Sequence, residues 1–284
     1  ISACLVGSEM CIRDRCCYHL CCMTKRKILN LVNNGVLFAH SDLSFVEYLF
    51  EEEVNGIESE INNGIAHVRI DDLLYFGTDE RAVQSYVSLL KRLQKEDTVQ
   101  GVIIEIDSGG GHDAASDYIG NAVAELAGVK PVIAYGHMIA SGAYLMAINC
   151  NLIIASGGLS KVGSIGSYVS LNKIIKEFYS EIFEDVYAQQ STEKNEEFRE
   201  YVSDGSIEKY QQMANESAQY FIDAVKLKRP FVSEEALKGK LYTADKAKRV
   251  GLIDGIGSLD YAKSRIISLS VSYTHLTLPT KRIV

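Results

Sequence analysis

The run MIASGAYLMA at 138–147 places Ser141 and Gly142 at the mouth of an apolar segment rich in small residues. Two chemistries suit a serine there. Its hydroxyl can cap a helix by accepting a bond from a backbone N–H that lacks a partner in the first turn. Alternatively it can act as a nucleophile, with the N–H of the following residue aimed at the oxyanion formed in acyl transfer. A second stretch favours the latter chemistry. Asp107-Ser108-Gly109-Gly110-Gly111 follows the apolar run GVIIEID at 101–107, and the N–H groups of Gly110 and Gly111 can converge on the same oxygen as that of Gly142. A tight strand-to-helix turn is the plain alternative for the three glycines. Their spacing is not the G-x-G-x-x-G of a dinucleotide loop. A nucleophilic serine also needs a base. The histidines are His19, His40, His67, His112, His137 and His275, and the one that follows Ser141, His275, stands in an end segment that does not read as native, so an imidazole base has to come from upstream, where His112 and His137 stand near the two loops.

The surrounding pattern predicts the elements that would hold these residues. IAHVRI at 65–70 alternates and is β-branched, GVIIEID is a continuous apolar run of the kind buried in a parallel sheet, and VIAYG (132–136) and LIIA (152–155) read the same way. Between them lie helical spacings: Asp79 to Glu96 behind a Thr78 cap, Asp113 to Leu126, and the segment that begins at Ser141. Further helices are expected over 171–183, 206–228 and 258–266. Alternating strand and helix predict an α/β domain with a mostly parallel sheet, right-handed crossovers, and its working loops at one sheet edge.

Composition narrows the classes. The 284 residues carry a formal charge of −8 and 47% apolar residues, which suits a globular protein and disfavours nucleic-acid binding, since no basic face interleaved with aromatics is present. No segment approaches the roughly 18 to 20 apolar residues of a membrane span, so the chain reads as soluble and no membrane association is visible. Six of the seven cysteines lie between Cys4 and Cys22, which first suggests a disulfide or metal framework. The ends argue otherwise. Met10-Cys11-Ile12-Arg13-Asp14 can be encoded as ATG-TGT-ATA-AGA-GAC, and the reverse complement of that DNA encodes Val-Ser-Tyr-Thr-His, which is 271–275. The two ends resemble translated copies of one adapter and are set aside as non-native. Cys150 then remains, as expected for a reducing compartment. The organisation expected is an adapter-derived or undefined segment at 1–24, a leader without sharp pattern at 25–64, one domain at 65–268, and an adapter-derived tail at 271–284. Excision of the ends leaves open a lost N-terminal signal or anchor.

Four motifs in order, IEIDSGGGHDAAS, KPVIAYGHMIASGAYLMA, KVGSIGSYVS and YTADKAKRVGLIDGIGSLDYA, resemble the signal peptide peptidase A family of Ser-Lys serine peptidases, including single-domain phage members associated with capsid maturation. The resemblance spans about 65–265. It implies a Clp-protease/crotonase-like fold of repeated ββα units, assembly into a homo-oligomer, no metal or other cofactor, and peptide or protein substrates such as signal peptides or phage capsid and scaffold proteins. A cytoplasmic or capsid-associated location is expected. The family's nucleophile matches Ser141, with Ala143 where a second glycine is usual, and Gly109 replaces the usual proline of the glycine loop. Its base, a lysine about fifty residues further on, matches Lys194 before Asn195, 53 residues past the serine (194 − 141). Ser164 and Ser191 are the expected partners for the amine, and Gly110, Gly111 and Gly142 the expected oxyanion donors. A lysine base must be neutral to act. From an ordinary pKa near 10.4 only about one lysine in 2,500 is neutral at pH 7, and lowering that pKa by roughly three costs about 4 kcal/mol against the charged form. Lys161, Lys173 and Lys176 sit too early in the chain to match. Two other readings stand beside the peptidase: a crotonase-type acyl-CoA enzyme, which shares a glycine-loop oxyanion site, and an inactive homologue with a structural or assembly role.

Overall fold

The computed structural model of the chain describes residues 60–71 and 80–277. The adapter-like N-terminal segment, most of the leader and the Thr78 cap lie outside them. The described chain falls into two compact units, one containing residues 60–166 and 218–277 and the other 167–217.

The larger unit carries the whole sheet. β1 (Glu60–Asn62) and β2 (Ile65–Ile70) form a hairpin closed by Asn63 and Gly64, both at positive φ. β3 (Gly101–Ser108), β4 (Val132–Ala140), β5 (Leu152–Ala155) and β8 (Gly255–Ile256) follow in spatial order, all parallel. β6 (Lys161–Gly163) pairs parallel with the far end of β4, and β7 (Leu241–Thr243), which leads into the short helix α7 (Ala244–Arg249), pairs antiparallel with β6. The expected α/β class with a mostly parallel, helix-flanked sheet is what forms.

Both sheet faces are covered, which explains the unbroken apolar runs. Even-numbered β3 residues Val102, Ile104 and Ile106 join a core with α1 (Glu80–Lys95), α2 (Asp113–Ala127) and α3 (Gly142–Ala147). In α1 the buried residues Val83, Val87, Leu90 and Leu93 recur at helical spacing. On the other face Ile65, Ile103, Ile133 and Ile154 pack against Ala262 and Ile266 of α8 (Leu259–Thr277). That helix runs eleven residues beyond the expected end at 266 and enters the tail set aside from sequence. Ser270 is buried and donates to the carbonyl of Gln100 at 3.1 Å.

β4 runs past its expected end at 136, through a bulge, by pairing on with β3 and β6. Ile106 pairs with Gly136, yet Asp107 pairs with Met138, so His137 is the additional residue. The insertion inverts the alternation: Val132 and Ala134 lie in the α1–α3 core, and beyond the bulge it is the odd-numbered Ile139 that does so. β4 therefore delivers Ser141 at the end where the glycine loop leaves β3.

α6 (Glu208–Lys228) begins in the smaller unit and ends in the larger one. Just past it, Arg229 makes a forked pair with Asp254, Nη1 to Oδ1 at 2.7 Å and Nη2 to Oδ2 at 2.9 Å. Its Nη2 also reaches the carbonyl of Leu252, which accepts the Tyr144 hydroxyl. Asp254 Oδ2 in turn accepts the N–H of Ile153 on β5 at 2.7 Å. Burial pushes the Tyr144 phenol well above its ordinary range, so it remains a donor. Asp254→Ala would leave the largely buried guanidinium unpaired and orphan a strand N–H. The expected loss is about 3 kcal/mol, read as a lower denaturant midpoint at unchanged slope.

The smaller unit contains α4 (Lys173–Ile182) and α5 (Glu196–Ser203). Asn172 caps α4, accepting from Ile174 and Ile175. Tyr179 stacks edge-on against Phe198 with ring centroids 4.8 Å apart. Lys209, in the first turn of α6, ties down α5 through Glu196 at 2.7 Å and Glu200 at 3.0 Å. No helix among the described residues is long and apolar enough to cross a membrane.

Candidate active site

Ser141 sits between β4 and α3 at φ 50°, ψ −127°, a conformation costly for a residue with a Cβ. It is fixed from both sides: its N–H donates to the carbonyl of Gly163 at 2.8 Å, and its carbonyl accepts the N–H groups of Tyr144 and Leu145. The hydroxyl makes no capping bond to the helix. The plain reading of this serine as a side-chain cap is thereby removed. Its backbone begins α3 while its side chain is left for other work.

The glycine loop meets it directly. A Cβ placed on Gly110 would lie 2.6 Å from Gly142 N, 2.7 Å from Ser141 Cβ and 2.8 Å from the carbonyl oxygen of Ala140. Only a residue without a side chain fits this approach, and the positive φ of Gly110 (104°) and Gly111 (142°) adds to the requirement. Gly110 donates its N–H to Ser108 Oγ at 3.1 Å within the loop. Gly111 N lies 3.4 Å from where a Cβ of Gly142 would stand, so the loop amide after Gly110 also borders Gly142. Ser141, Gly110, Gly111 and Gly142 are thus brought together, as two loops at one end of parallel neighbours require.

Ser164 belongs to the same unit. It follows Gly163, whose carbonyl holds Ser141, and continues the β4–β6 register in which Ala140 pairs with Gly163. It too has positive φ (57°), with its N–H on the carbonyl of Lys240 at 3.0 Å. Ser191 and Lys194 share a turn of the smaller unit, Lys194 N donating to the carbonyl of Ser191 at 3.3 Å. Asn195 follows in the left-handed region, where α5 starts. Lys194 is exposed within the single chain. Of the nearby acids, Glu196 is engaged by Lys209, which holds its carboxyl below the usual range.

The two histidines near the loops take other positions. His137 is the exposed additional residue of the β4 bulge. His112 is exposed behind Gly111, with Nδ1 3.2 Å from Asp113 Oδ1. Sequence reading also passed over Ser116, a buried serine in the first turn of α2 that packs on Gly142. The signal available was a hydroxyl at a core-facing position between Gly111 and Ile119.

Residues 124–270 match Peptidase family S49. The chain belongs to that family. The resemblance drawn from the four motifs is borne out at family level. This S49 chain is 31% identical over 205 residues to a protein from Methanocaldococcus jannaschii named as a protease, covering 69% of this chain and 64% of that protein. It is 28% identical over 209 residues to a chloroplastic serine protease SPPA of Arabidopsis thaliana, covering 70% and 29% respectively. It thus spans less than two thirds of the length of either relative. Among solved structures, an enoyl-CoA hydratase/isomerase family protein from Silicibacter pomeroyi superimposes with a TM-score of 0.44 at 15% identity, covering 77% of this chain and 82% of that one.

Proposed function

We propose that the chain is a serine endopeptidase in which Ser141 is the nucleophile and Lys194 the general base. The observation that carries this reading is the state of Ser141: held at φ 50°, unbonded to its helix, and overlaid by a glycine that has room for no side chain. Backbone strain of this kind persists where the surroundings over-determine it, as they do at acyl-transfer sites. The Lys194 assignment is supported by family membership and by its spacing from Ser141.

In the proposed reaction Ser141 Oγ attacks the scissile carbonyl and its proton passes to the neutral Lys194 amine. The oxyanion accepts bonds from the N–H groups of Gly142 and Gly111. Collapse breaks the C–N bond, and the departing amine takes the proton from Lys194. Water then attacks the acyl-enzyme, returning a proton through the same amine and freeing Ser141. Ser164 and Ser191 orient the amine. Substrates are peptides or proteins, signal peptides or phage capsid and scaffold proteins among them. The chain acts as a homo-oligomer, a reading supported by the exposed Ile174, Phe178 and Ile182 spaced four residues apart on α4.

A fluorophosphonate probe tests the nucleophile. Peptide mass spectrometry of the labelled chain should place the adduct on Ser141. An intact, folded chain that takes up no label, or takes it up at another serine, defeats the assignment.

A further inference from the structure

Ser116 is fully buried, at 0% exposure, in the first turn of α2. Its N–H donates to the carbonyl of His112 at 3.0 Å, the ordinary helical bond. Its hydroxyl donates to the same carbonyl at 2.9 Å. The helix does not need that second bond, since the first already satisfies it, and a serine turned back on the i−4 carbonyl is mildly unfavourable in a helix interior. The other side of the hydroxyl explains its presence. A Cβ on Gly142 would overlap Ser116 Oγ and lie 3.0 Å from Ser116 Cβ. The oxygen is therefore seated against the Cα of Gly142, the residue behind the nucleophile, while its proton grips the carbonyl immediately after Gly111.

Gly110 approaches Gly142 as well, with Gly142 N 2.6 Å from where a Cβ of Gly110 would stand. Gly142 is thus gripped between Gly110 and Ser116, and both grips lead to the same glycine loop. Each of the two proposed oxyanion donors is referenced to one hydroxyl: Gly142 by direct contact, Gly111 through the His112 carbonyl.

We infer that Ser116 is a positioning residue that sets the separation and aim of the Gly111 and Gly142 N–H groups. The inference rests on the proposed acyl-transfer reading of Ser141. It requires no contact between Ser116 and substrate. A misplacement of about 1 Å at such donors can cost on the order of a hundredfold in rate, and loss of the hydroxyl alone permits a smaller shift.

The test is Ser116→Ala in the full chain, with a fluorogenic peptide for turnover and a peptide boronate for the tetrahedral state. We expect kcat to fall about tenfold and KM to hold. The boronate inhibition constant should rise by the same factor, because its tetrahedral adduct places an oxygen on the same N–H groups. A purely structural role would lower the melting temperature and leave kcat and boronate affinity unchanged well below the transition, and that result overturns the inference. If Ser116→Ala fails to fold, Ser116→Cys, close in shape with a weaker donor, is read by the same two constants. Turnover surviving in Ser141→Ala would overturn the nucleophile reading and this inference together. An inactive Ser141→Ala beside a fully active Ser116→Ala would overturn the inference alone.

Discussion

Lys194→Met and Ser141→Ala should each abolish peptide hydrolysis, to comparable residual rates and without loss of the folded state. Methionine keeps the apolar stem of the lysine and removes the amine. Lys194→Arg should be as inactive, because a guanidinium does not give up its proton in a protein. The double variant Ser141→Ala/Lys194→Met should be no worse than either single one, since groups that act as a unit do not lose activity additively. The contrast lies with imidazole: His112→Ala and His137→Ala should retain most activity, both side chains being exposed. A dead histidine variant together with turnover in Lys194→Met would transfer the role of base to histidine and end the Ser-Lys mechanism. Steady-state rates on one peptide, with circular dichroism of each variant as the check on folding, decide between them.

What the sequence disclosed follows from how strongly each segment is patterned. The runs at 101–107 and 152–155 are buried on both faces, so hydrophobicity alone announces them. α5 escaped notice because two buried residues, Phe198 and Tyr201, stand in the acidic run EEFREYVS and do not define a period. β6 and β7 are three residues each, too short for alternation to register. The continuation of α8 to Thr277 was hidden by the exclusion of the tail and by its weak helix formers, Val271, Ser272, Tyr273 and Thr274 among them.

The site divides in the same way. Residue types and order point to Ser141 and the glycine loop, because only small residues tolerate such close approach. The sequence could not distinguish a capping hydroxyl from an unbonded one, since that depends on the backbone angles of Ser141, which the Gly163 carbonyl helps to fix. Ser116 was invisible for a related reason. A serine among apolar helix neighbours acquires meaning only when the glycine against which it packs is known.

Gly136→Ala should be the most destabilising small substitution in the sheet, costing about 4 kcal/mol or more. At the β4 bulge the two strands approach so closely that a Cβ on Gly136 would overlap the Ile106 carbonyl oxygen and lie 2.8 Å from its carbonyl carbon. Neither atom can swing aside, because both belong to a central strand paired on its two edges. The chain would have to part β3 from β4 or abandon the bulge. Abandoning it would restore the alternation that the bulge inverts, turning Ile139 out of the core it shares with Val132 and Ala134. For a domain of this size the expected fall in melting temperature is roughly 8–16 °C. His137→Ala, one residue along and exposed, should change stability by no more than about 0.5 kcal/mol. Denaturant unfolding of the two variants beside the unaltered chain measures both numbers. A Gly136→Ala protein as stable as His137→Ala would mean that β3 and β4 separate at little cost, and that Ser141 does not depend on this bulge for its position.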